Sequence, residues 1–450
     1  MNDDIFHDPD IWKKEDKKQP KEQYDWYDKE EFLTQADKPA TPKKKKSGCA
    51  KWLLILTAVL LILSFVVGIL GCGGLGLIGT LFAGSTDASQ PAGNYGSGIF
   101  DFLTLPSQQQ TSGTAAAELP DYDVEVRYWG QMLSPENQRV YQHLVSHFME
   151  HQSTVSRFRM GDIDDLEIIV EMICNDYEEI FWYNGAYSST YYEYSGYVEV
   201  EMTPQYVWDK ETSQAYQAEI EAKTAGILQQ LSGYSEYDKV KGVYEYLVDN
   251  TIYDLDYMNT TMYELFHYGR AVCEGYARAT SYLLRKLGVE VIYVDGEGGH
   301  GNDWELHAWN VVKVDGAYYL LDVTWGDPCY DDGTQVKIFD YLCITTEEAK
   351  REHRTDWSKI PECTATESNY YFRENRVLYS YDEQVIKQWF VAGSSSCMIE
   401  FKCADAAIYQ TAKNYLENGD FGQMLYDAVG YSGEYYYEYS DDMWTIRMRW

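Results

Sequence analysis

The hydrophobic residues of this chain change their spacing several times along its length, and each spacing predicts a different kind of element. The first pattern is an uninterrupted apolar run over 52–70, which continues as an uncharged, glycine-rich stretch to residue 82. About 20 apolar residues suffice for a helix to cross a bilayer. We therefore predict one membrane-spanning segment within 47–83.

Helical and extended patterns alternate in the middle of the chain. Ser134 followed by Pro135 is typical of a helix start, because the hydroxyl can cap the first turn and proline fits its first position. Apolar residues then recur at helical spacing, at Val140, Tyr141, Leu144 and Phe148. Residues 174–200 are rich in turn and strand formers, and a second helix is predicted over 239–248. We assign 121–235 to an N-terminal region of mixed helices and strands.

The C-terminal part of the chain, 366–450, also combines both patterns. Residues 398–403 are predicted to form a strand, and 405–416 a helix. Apolar side chains then alternate with polar ones: Trp444, Ile446, Met448 and Trp450 are separated by Thr445, Arg447 and Arg449. This period of two predicts a final strand with one buried and one exposed face. We expect a small α+β region here.

The charges around the apolar run predict its orientation. Lysines at 43–46 and at 51 precede the run, whereas no basic residue follows it closely. The positive-inside rule therefore places the N-terminus in the cytoplasm and the bulk of a single-pass protein outside the cell. Residues 1–46 are predicted to be a disordered tail, and 84–120 a flexible stalk. The long tail disfavours two alternatives, a cleaved signal peptide and a lipoprotein anchor at Cys72.

Small residues repeat every fourth position at the end of the apolar run, at Gly68, Cys72, Gly76, Thr80 and Gly84. Such a row lets two membrane helices approach closely, so a homodimer through this face is one hypothesis. We favour the alternative, in which the glycines only loosen the end of the span.

Charge and cysteine usage narrow the function classes. The net charge of −35 argues against nucleic acid or anionic lipid as the main partner, because both require a basic surface. Seven of the nine cysteines lie beyond the apolar run: Cys174, Cys273, Cys329, Cys343, Cys363, Cys397 and Cys403. An odd number outside the cell is compatible with one reactive thiol. The absence of a CxxC spacing gives no support to a zinc knuckle, and we expect no cofactor.

Cys273 is the candidate for that reactive thiol. The segment 269–288 is predicted to begin as a loop and to pass into a helix that ends at Gly288, and Cys273 lies at or near the start of that helix. At a helix N-terminus the dipole and the unpaired N–H groups favour thiolate over thiol. This segment alone does not distinguish a reactive thiol from the alternative, a buried cysteine that acts only as a small apolar residue.

A hairpin downstream brings together a histidine and an aspartate. Asp-Gly at 315–316 is a strong hairpin turn signal, and it pairs Val314 with Ala317. Extension of this register places His307 and Asp322 diagonally on one face of the sheet, with Cβ atoms about 7 Å apart or less. A thiolate nucleophile needs a base, and the base needs a carboxylate that orients it. Cys273, His307 and Asp322 therefore form a candidate catalytic triad.

Three segments, AVCEGYA, HAWNVV and LLDVTWGDP, resemble the core motifs of the transglutaminase-like superfamily, which includes transglutaminases, microbial proteases and peptide N-glycanases. Cys273, His307 and Asp322 match the catalytic positions of that family, and the resemblance covers 239–328 and is closest to microbial members. It implies an α+β, papain-like core over 236–365, in which the Cys273 helix packs on an antiparallel sheet.

The resemblance implies a cysteine-dependent enzyme that acts on peptide or carboxamide bonds of a protein or peptide substrate. We favour a peptidase or amidase at the cell surface. The alternatives are a protein cross-linking transglutaminase and a catalytically silent binding scaffold.

Other polar residues are weaker site candidates. His300 lies in a glycine-rich segment that we predict to be a loop, and a loop positions a base poorly. Trp309 and Trp325 are expected to form core or cleft wall, and Asp327 and 331–333 to form turns rather than a calcium site. Histidines repeat at helical spacing at His143, His147 and His151. We interpret this row as a solvated or half-buried helix face rather than a metal site.

Overall fold

The computed structural model describes residues 119–255, 257, 259–328 and 336–450, together with a short strand at 108–109. The predicted tail, membrane segment and small-residue row, and nearly all of the stalk, lie outside these residues. No helix within the described part of the chain is both long and apolar enough to span a bilayer.

The α-helices of the described residues alternate with strands along the chain. They are α1 (Pro135–Met149), α2 (Asp165–Asp176), α3 (Lys210–Leu231), α4 (Glu236–Asn250), α5 (Met262–Tyr268), α6 (Cys273–Lys286), α7 (Thr346–Ala349), α8 (Tyr370–Arg373), α9 (Glu383–Ala392), α10 (Ala406–Glu417) and α11 (Asp420–Val429). Short 3-10 helices occur at Gly130–Met132, Glu178–Ile180, Trp357–Lys359 and Gly393–Ser395.

The strands of the described residues pair into separate sheets. They are β1 (Gln108–Gln109), β2 (Ser156–Met160), β3 (Tyr183–Tyr194), β4 (Tyr197–Tyr206), β5 (Ile252–Tyr253), β6 (Arg270–Ala271), β7 (Val291–His300), β8 (Asp303–Val314), β9 (Ala317–Leu321), β10 (Leu342–Ile344), β11 (His353–Arg354), β12 (Val377–Leu378), β13 (Met398–Cys403), β14 (Tyr436–Ser440) and β15 (Thr445–Arg449). The orders are β1-β3-β4-β2, β10-β9-β8-β7-β11 and β12-β13-β15-β14, with β5 beside β6.

The N-terminal helix α1 begins as its sequence predicts. The Ser134 side chain accepts a hydrogen bond from the backbone N–H of Asn137, and Pro135 occupies the first helical position. Its predicted apolar face is buried, at Val140, Tyr141, Leu144 and Phe148. The helix predicted over 239–248 is likewise present, as the middle of α4.

The central five-stranded sheet is antiparallel throughout. Val314 pairs with Ala317 across the β8–β9 turn, so the predicted register is confirmed. Helix α6 packs on one face of this sheet, where the Asn310 side chain donates hydrogen bonds to the Ala277 carbonyl (3.1 Å) and to the Ser281 hydroxyl (3.0 Å). The described chain is thus a mixed α/β fold with a helix on an antiparallel sheet.

The glycine-rich segment around His300 is not the predicted loop but part of two strands. β7 continues to His300, and β8 begins at Asp303. Glycines here allow close approach of other groups. A Cβ at Gly296 would lie 2.1 Å from the Arg354 carbonyl oxygen, and one at Gly298 would lie 2.8 Å from the nearest side-chain atom. The glycines therefore serve packing in a strand, which the composition alone does not reveal.

The C-terminal residues form their own sheet and core, with α9, α10 and α11 packed against it. The predicted exposed face of the last strand is wrong. β15 lies between β13 and β14, and Thr445 and Arg447 are buried. Arg447 is satisfied there by ion pairs with Asp340, Glu400 and Glu438 at 3.1 to 3.5 Å. Buried carboxylates thus replace solvent around an arginine whose spacing predicted exposure.

Candidate active site

Cys273 is the first residue of α6, directly after the N-cap residue Val272. Its side chain is 7% exposed and packs in a small cluster with Ala277, Tyr293 and Ala308. The thiol is not in a disulfide. The fold therefore places this thiol at the positive end of the helix dipole, where α6 meets β7 and β8.

His307 and Asp322 form a hydrogen-bonded pair inside the protein. His307 Nε2 lies 2.6 Å from Asp322 Oδ2, and both side chains are nearly inaccessible to solvent. The other carboxylate oxygen, Oδ1, accepts the backbone N–H of Trp325 at 3.1 Å. Since Nε2 is used by Asp322, Nδ1 is the ring nitrogen left for Cys273, whose side chain is close enough to raise the pKa of His307. The structure thus brings the three predicted site residues together.

The charges of this pair are mutually stabilised. Burial disfavours protonated His307, but the Asp322 carboxylate and, to a smaller extent, Cys273 outweigh burial and raise the pKa of His307 to about 10. Burial likewise disfavours ionised Asp322, but His307 and a second histidine, His353, hold the pKa of that carboxyl well below its usual range. At neutral pH the pair is therefore an imidazolium and a carboxylate.

Two tryptophans hold the His307 ring. Trp325 stacks on it at 4.9 Å between ring centroids, with 19° between planes, and Trp309 lies at 5.9 Å. Gly298 on the neighbouring strand leaves room for both rings, because a Cβ there would lie only 2.8 Å from Trp325 and 2.9 Å from His307. Trp309 and Trp325 are both core and wall of the site, as their sequence context predicts.

His353 is a site residue that the sequence analysis missed. Its Nε2 lies 3.0 Å from Asp322 Oδ2, and the ring is fully buried. It belongs to the two-residue strand β11, where it pairs with Gly298. A strand this short has no periodic pattern, so the sequence contains no local signal for this histidine.

The rival candidates occupy other hydrogen-bonding roles. Both ring nitrogens of His300 face carboxylates, Glu352 at 3.1 Å and Asp442 at 3.2 Å, so the ring is not directed at Cys273 as a base. Asp327 accepts a hydrogen bond from Tyr276 at 2.6 Å, and 331–333 lie outside the described residues. The nitrogens of His143, His147 and His151 contact hydroxyl groups or backbone carbonyls.

Two groups of side chains in the described residues have ligand types suited to a metal ion: His307, Asp322 and His353, and His300, Glu352 and Asp442. In both groups every histidine has a ring nitrogen at hydrogen-bond distance from a carboxylate, between 2.6 and 3.2 Å. Two ligands of a tetrahedral ion, each about 2.0–2.2 Å from it, would lie farther apart than the closest of these pairs. We therefore interpret both groups as hydrogen-bond networks.

Comparisons with known proteins agree with the motif analysis. Residues 226–323 match the model of the transglutaminase-like superfamily. Mouse kyphoscoliosis peptidase is 25% identical over 122 residues, which make up 24% of this chain and 18% of the mouse protein. The chain thus matches less than a fifth of the length of that relative.

Solved structures with partial similarity include a TGase, with 17% identity, a TM-score of 0.20, and coverage of 30% of this chain and 44% of the other. A proposed cysteine protease from Cytophaga hutchinsonii has 16% identity and a TM-score of 0.21, with 34% and 65% covered. On the match of 226–323, the chain contains a transglutaminase-like domain, and this domain includes Cys273, His307 and Asp322.

Proposed function

We propose that this protein is a cysteine-dependent acyl-transfer enzyme that cleaves peptide or carboxamide bonds through a thioester. The observation that supports this proposal most strongly is the placement of Cys273 at the start of α6 near His307, which is itself hydrogen-bonded to Asp322. A catalytically silent scaffold has no need of a buried imidazolium beside a thiol, since burial of charged groups costs free energy.

The proposed first step is attack of the Cys273 sulfur on the carbonyl carbon of the substrate. The carbonyl π electrons move to oxygen, and we expect the Cys273 backbone N–H to stabilise the oxyanion. His307 then gives its Nδ1 proton to the leaving nitrogen as the carbon–nitrogen bond breaks, which releases an amine and leaves a thioester. Asp322 keeps the ring oriented and stabilises the imidazolium before this transfer.

In the second step, neutral His307 accepts a proton from water as the water oxygen attacks the thioester. The carbon–sulfur bond breaks, and a carboxylic acid is released with the thiolate restored. We favour water as the acceptor because the sequence motifs resemble microbial members most closely. Transfer to a lysine amine is the second candidate, since a protein of net charge −35 attracts basic acceptor proteins.

One assay separates these activities. The purified full chain in detergent is incubated with a glutamine-containing protein and a labelled primary amine, beside Cys273→Ala and, as matched control, the exposed cysteine variant Cys397→Ala. We expect cleavage or deamidation that Cys273→Ala abolishes and Cys397→Ala preserves. Cysteine-dependent amine incorporation without hydrolysis would identify a transferase. No Cys273-dependent product across a broad peptide library would favour the scaffold.

We also propose that the catalytic part faces the outside of the cell behind a single membrane segment. This location is supported by the lysines that precede the apolar run over 52–70. Protease treatment of intact cells should remove the catalytic part. Its survival until the cells are lysed would mean the opposite orientation.

A further inference from the structure

One carboxylate oxygen of Asp322 lies between two buried imidazoles. His307 Nε2 is 2.6 Å from Oδ2, and His353 Nε2 is 3.0 Å from the same atom. We propose that His353 is a positioning residue, a neutral imidazole that donates Nε2–H to Asp322, fixes the carboxylate and limits how strongly it retains the His307 proton. This inference rests on the proposed catalytic role of His307 and Asp322.

The hydrogen-bond chemistry defines the protonation state of His353. An ionised carboxylate only accepts hydrogen bonds, so a ring nitrogen 3.0 Å away must carry a proton. The other nitrogen, Nδ1, is buried and makes no hydrogen bond of acceptable geometry within the described residues, although the Ala349 carbonyl lies near the ring. A proton there would be poorly satisfied, and His353 is therefore the neutral Nε2–H tautomer.

The charges around His353 agree with this assignment. Burial lowers the pKa of His353, and the favourable interaction with Asp322 does not restore it, partly because His307 is also positively charged. Tyr341 packs against the ring but donates its hydroxyl to Glu352. Of the two histidines on Asp322, only His307 can therefore exchange its proton with the thiol.

The surroundings make this donor rigid. The His353 ring is in edge contact with Trp309 at 4.8 Å and lies against Trp325 at 4.4 Å, and its backbone pairs with Gly298 on β7. The same two tryptophans pack against His307. A fixed second donor makes the shared oxygen less basic, so Asp322 stabilises the His307 imidazolium less than an unshared carboxylate would.

The test uses two variants of similar size and polarity, His353→Gln and His353→Asn. The glutamine amide can reach the position of Nε2 and keep the donor, whereas the asparagine amide is too short and reproduces only Nδ1. The readout is the rate at which iodoacetamide alkylates Cys273, measured against pH on the full chain. This rate changes in an alkaline step when His307 loses its proton and the thiolate stands alone.

We expect His353→Asn to move this step to higher pH by about 0.5 unit or more, and His353→Gln to leave it near the wild-type position. Equal steps in all three proteins, or equal shifts in both variants, would overturn the proposal. The variant His307→Ala separates the two hypotheses. Without His307 the alkylation rate should follow only the ionisation of the free thiol, so the step should move away from its wild-type pH. If His307→Ala leaves the step at the wild-type pH, the proposed catalytic pair fails. If His307→Ala moves it but neither His353 variant does, only the role of His353 fails.

Discussion

Gly298 lies beside the His307 imidazole on the neighbouring strand, and its replacement by alanine is a direct test of how tightly the site is packed. An added Cβ would lie 2.8 Å from Trp325 Cζ2 and 2.9 Å from His307 Cδ2, whereas ordinary contacts begin at 3.4 Å. Ordinary contact would therefore require Trp325 to move by about 0.6 Å and His307 by about 0.5 Å, or the strand to shift by a similar distance. Trp325 is buried against Tyr341 and His353, so it cannot retreat freely, and His307 bears part of the shift.

Such a shift acts on a hydrogen bond that is only 2.6 Å long, from His307 to Asp322. A misplacement of about 1 Å can cost about 100-fold in rate, so we expect Gly298→Ala to lower kcat/KM about 10- to 100-fold. Overpacking should also lower the free energy of unfolding by about 1–3 kcal/mol. Both quantities are measured together, by substrate turnover or Cys273 alkylation and by urea unfolding.

Gly226→Ala is the matched control for this variant. Gly226 lies in α3 with no atom within 4 Å of the added Cβ, so activity should not change, and helix propensity should stabilise the protein by about 1 kcal/mol. A folded Gly298→Ala enzyme with the turnover and alkylation rate of wild type would refute the argument that this glycine positions His307.

Three further predictions follow from the charges of the site. Asp322→Asn should lower kcat/KM by about 10³–10⁴-fold and move the alkaline limb of the pH profile to lower pH, because the pKa of His307, about 10, depends on that carboxylate; an unchanged profile would contradict this. Burial raises the pKa of Glu352 in the folded protein to about 7, above its ordinary value in the unfolded chain. The stability that the protonated carboxyl group contributes is therefore fully present below that ordinary pKa and is lost as pH rises through about 7. Glu352→Gln should therefore gain up to about 3 kcal/mol relative to wild type between pH 5 and 8 in urea unfolding, and a difference independent of pH would contradict it. Cys273 should react with limiting iodoacetamide before the exposed Cys397, as mapped by mass spectrometry, and labelling of Cys397 with Cys273 untouched would argue against the triad.

The parts of the site that sequence analysis could predict are those set by local rules. Asp315 and Gly316 both adopt positive φ, of 51° and 86°, which is the conformation that a two-residue hairpin turn requires. The turn fixes the register of β8 and β9, and the register in turn places His307 near Asp322. A helix N-terminus at Cys273 follows from equally local patterns.

The parts that could not be predicted depend on contacts between distant segments. His353 reaches Asp322 from 31 residues away, through a two-residue strand without periodicity. The glycines of β7 resemble a loop in composition, but they lie in a strand. Glycine is needed at position 298 because a side chain there would collide with His307. The alternation of apolar and polar residues predicted that Arg447 is exposed. This pattern cannot reveal the ion pairs that Arg447 makes with Asp340 and Glu400 inside the protein.

The wall behind the triad joins three parts of the chain that are separate in sequence. Trp129 from the N-terminal region and Met443 from the C-terminal region are buried in the same hydrophobic cluster as Trp309 and Trp325. The Trp129 indole N–H also donates to the Tyr293 carbonyl at 2.9 Å, next to the cluster that holds Cys273. Because Trp309 and Trp325 hold the His307 ring, we expect a change in either flanking region to alter the packing of that ring. The flanking regions therefore contribute to the geometry of the site as well as to the stability of the fold, and loss of either should lower activity before it abolishes folding of α6 and the central sheet.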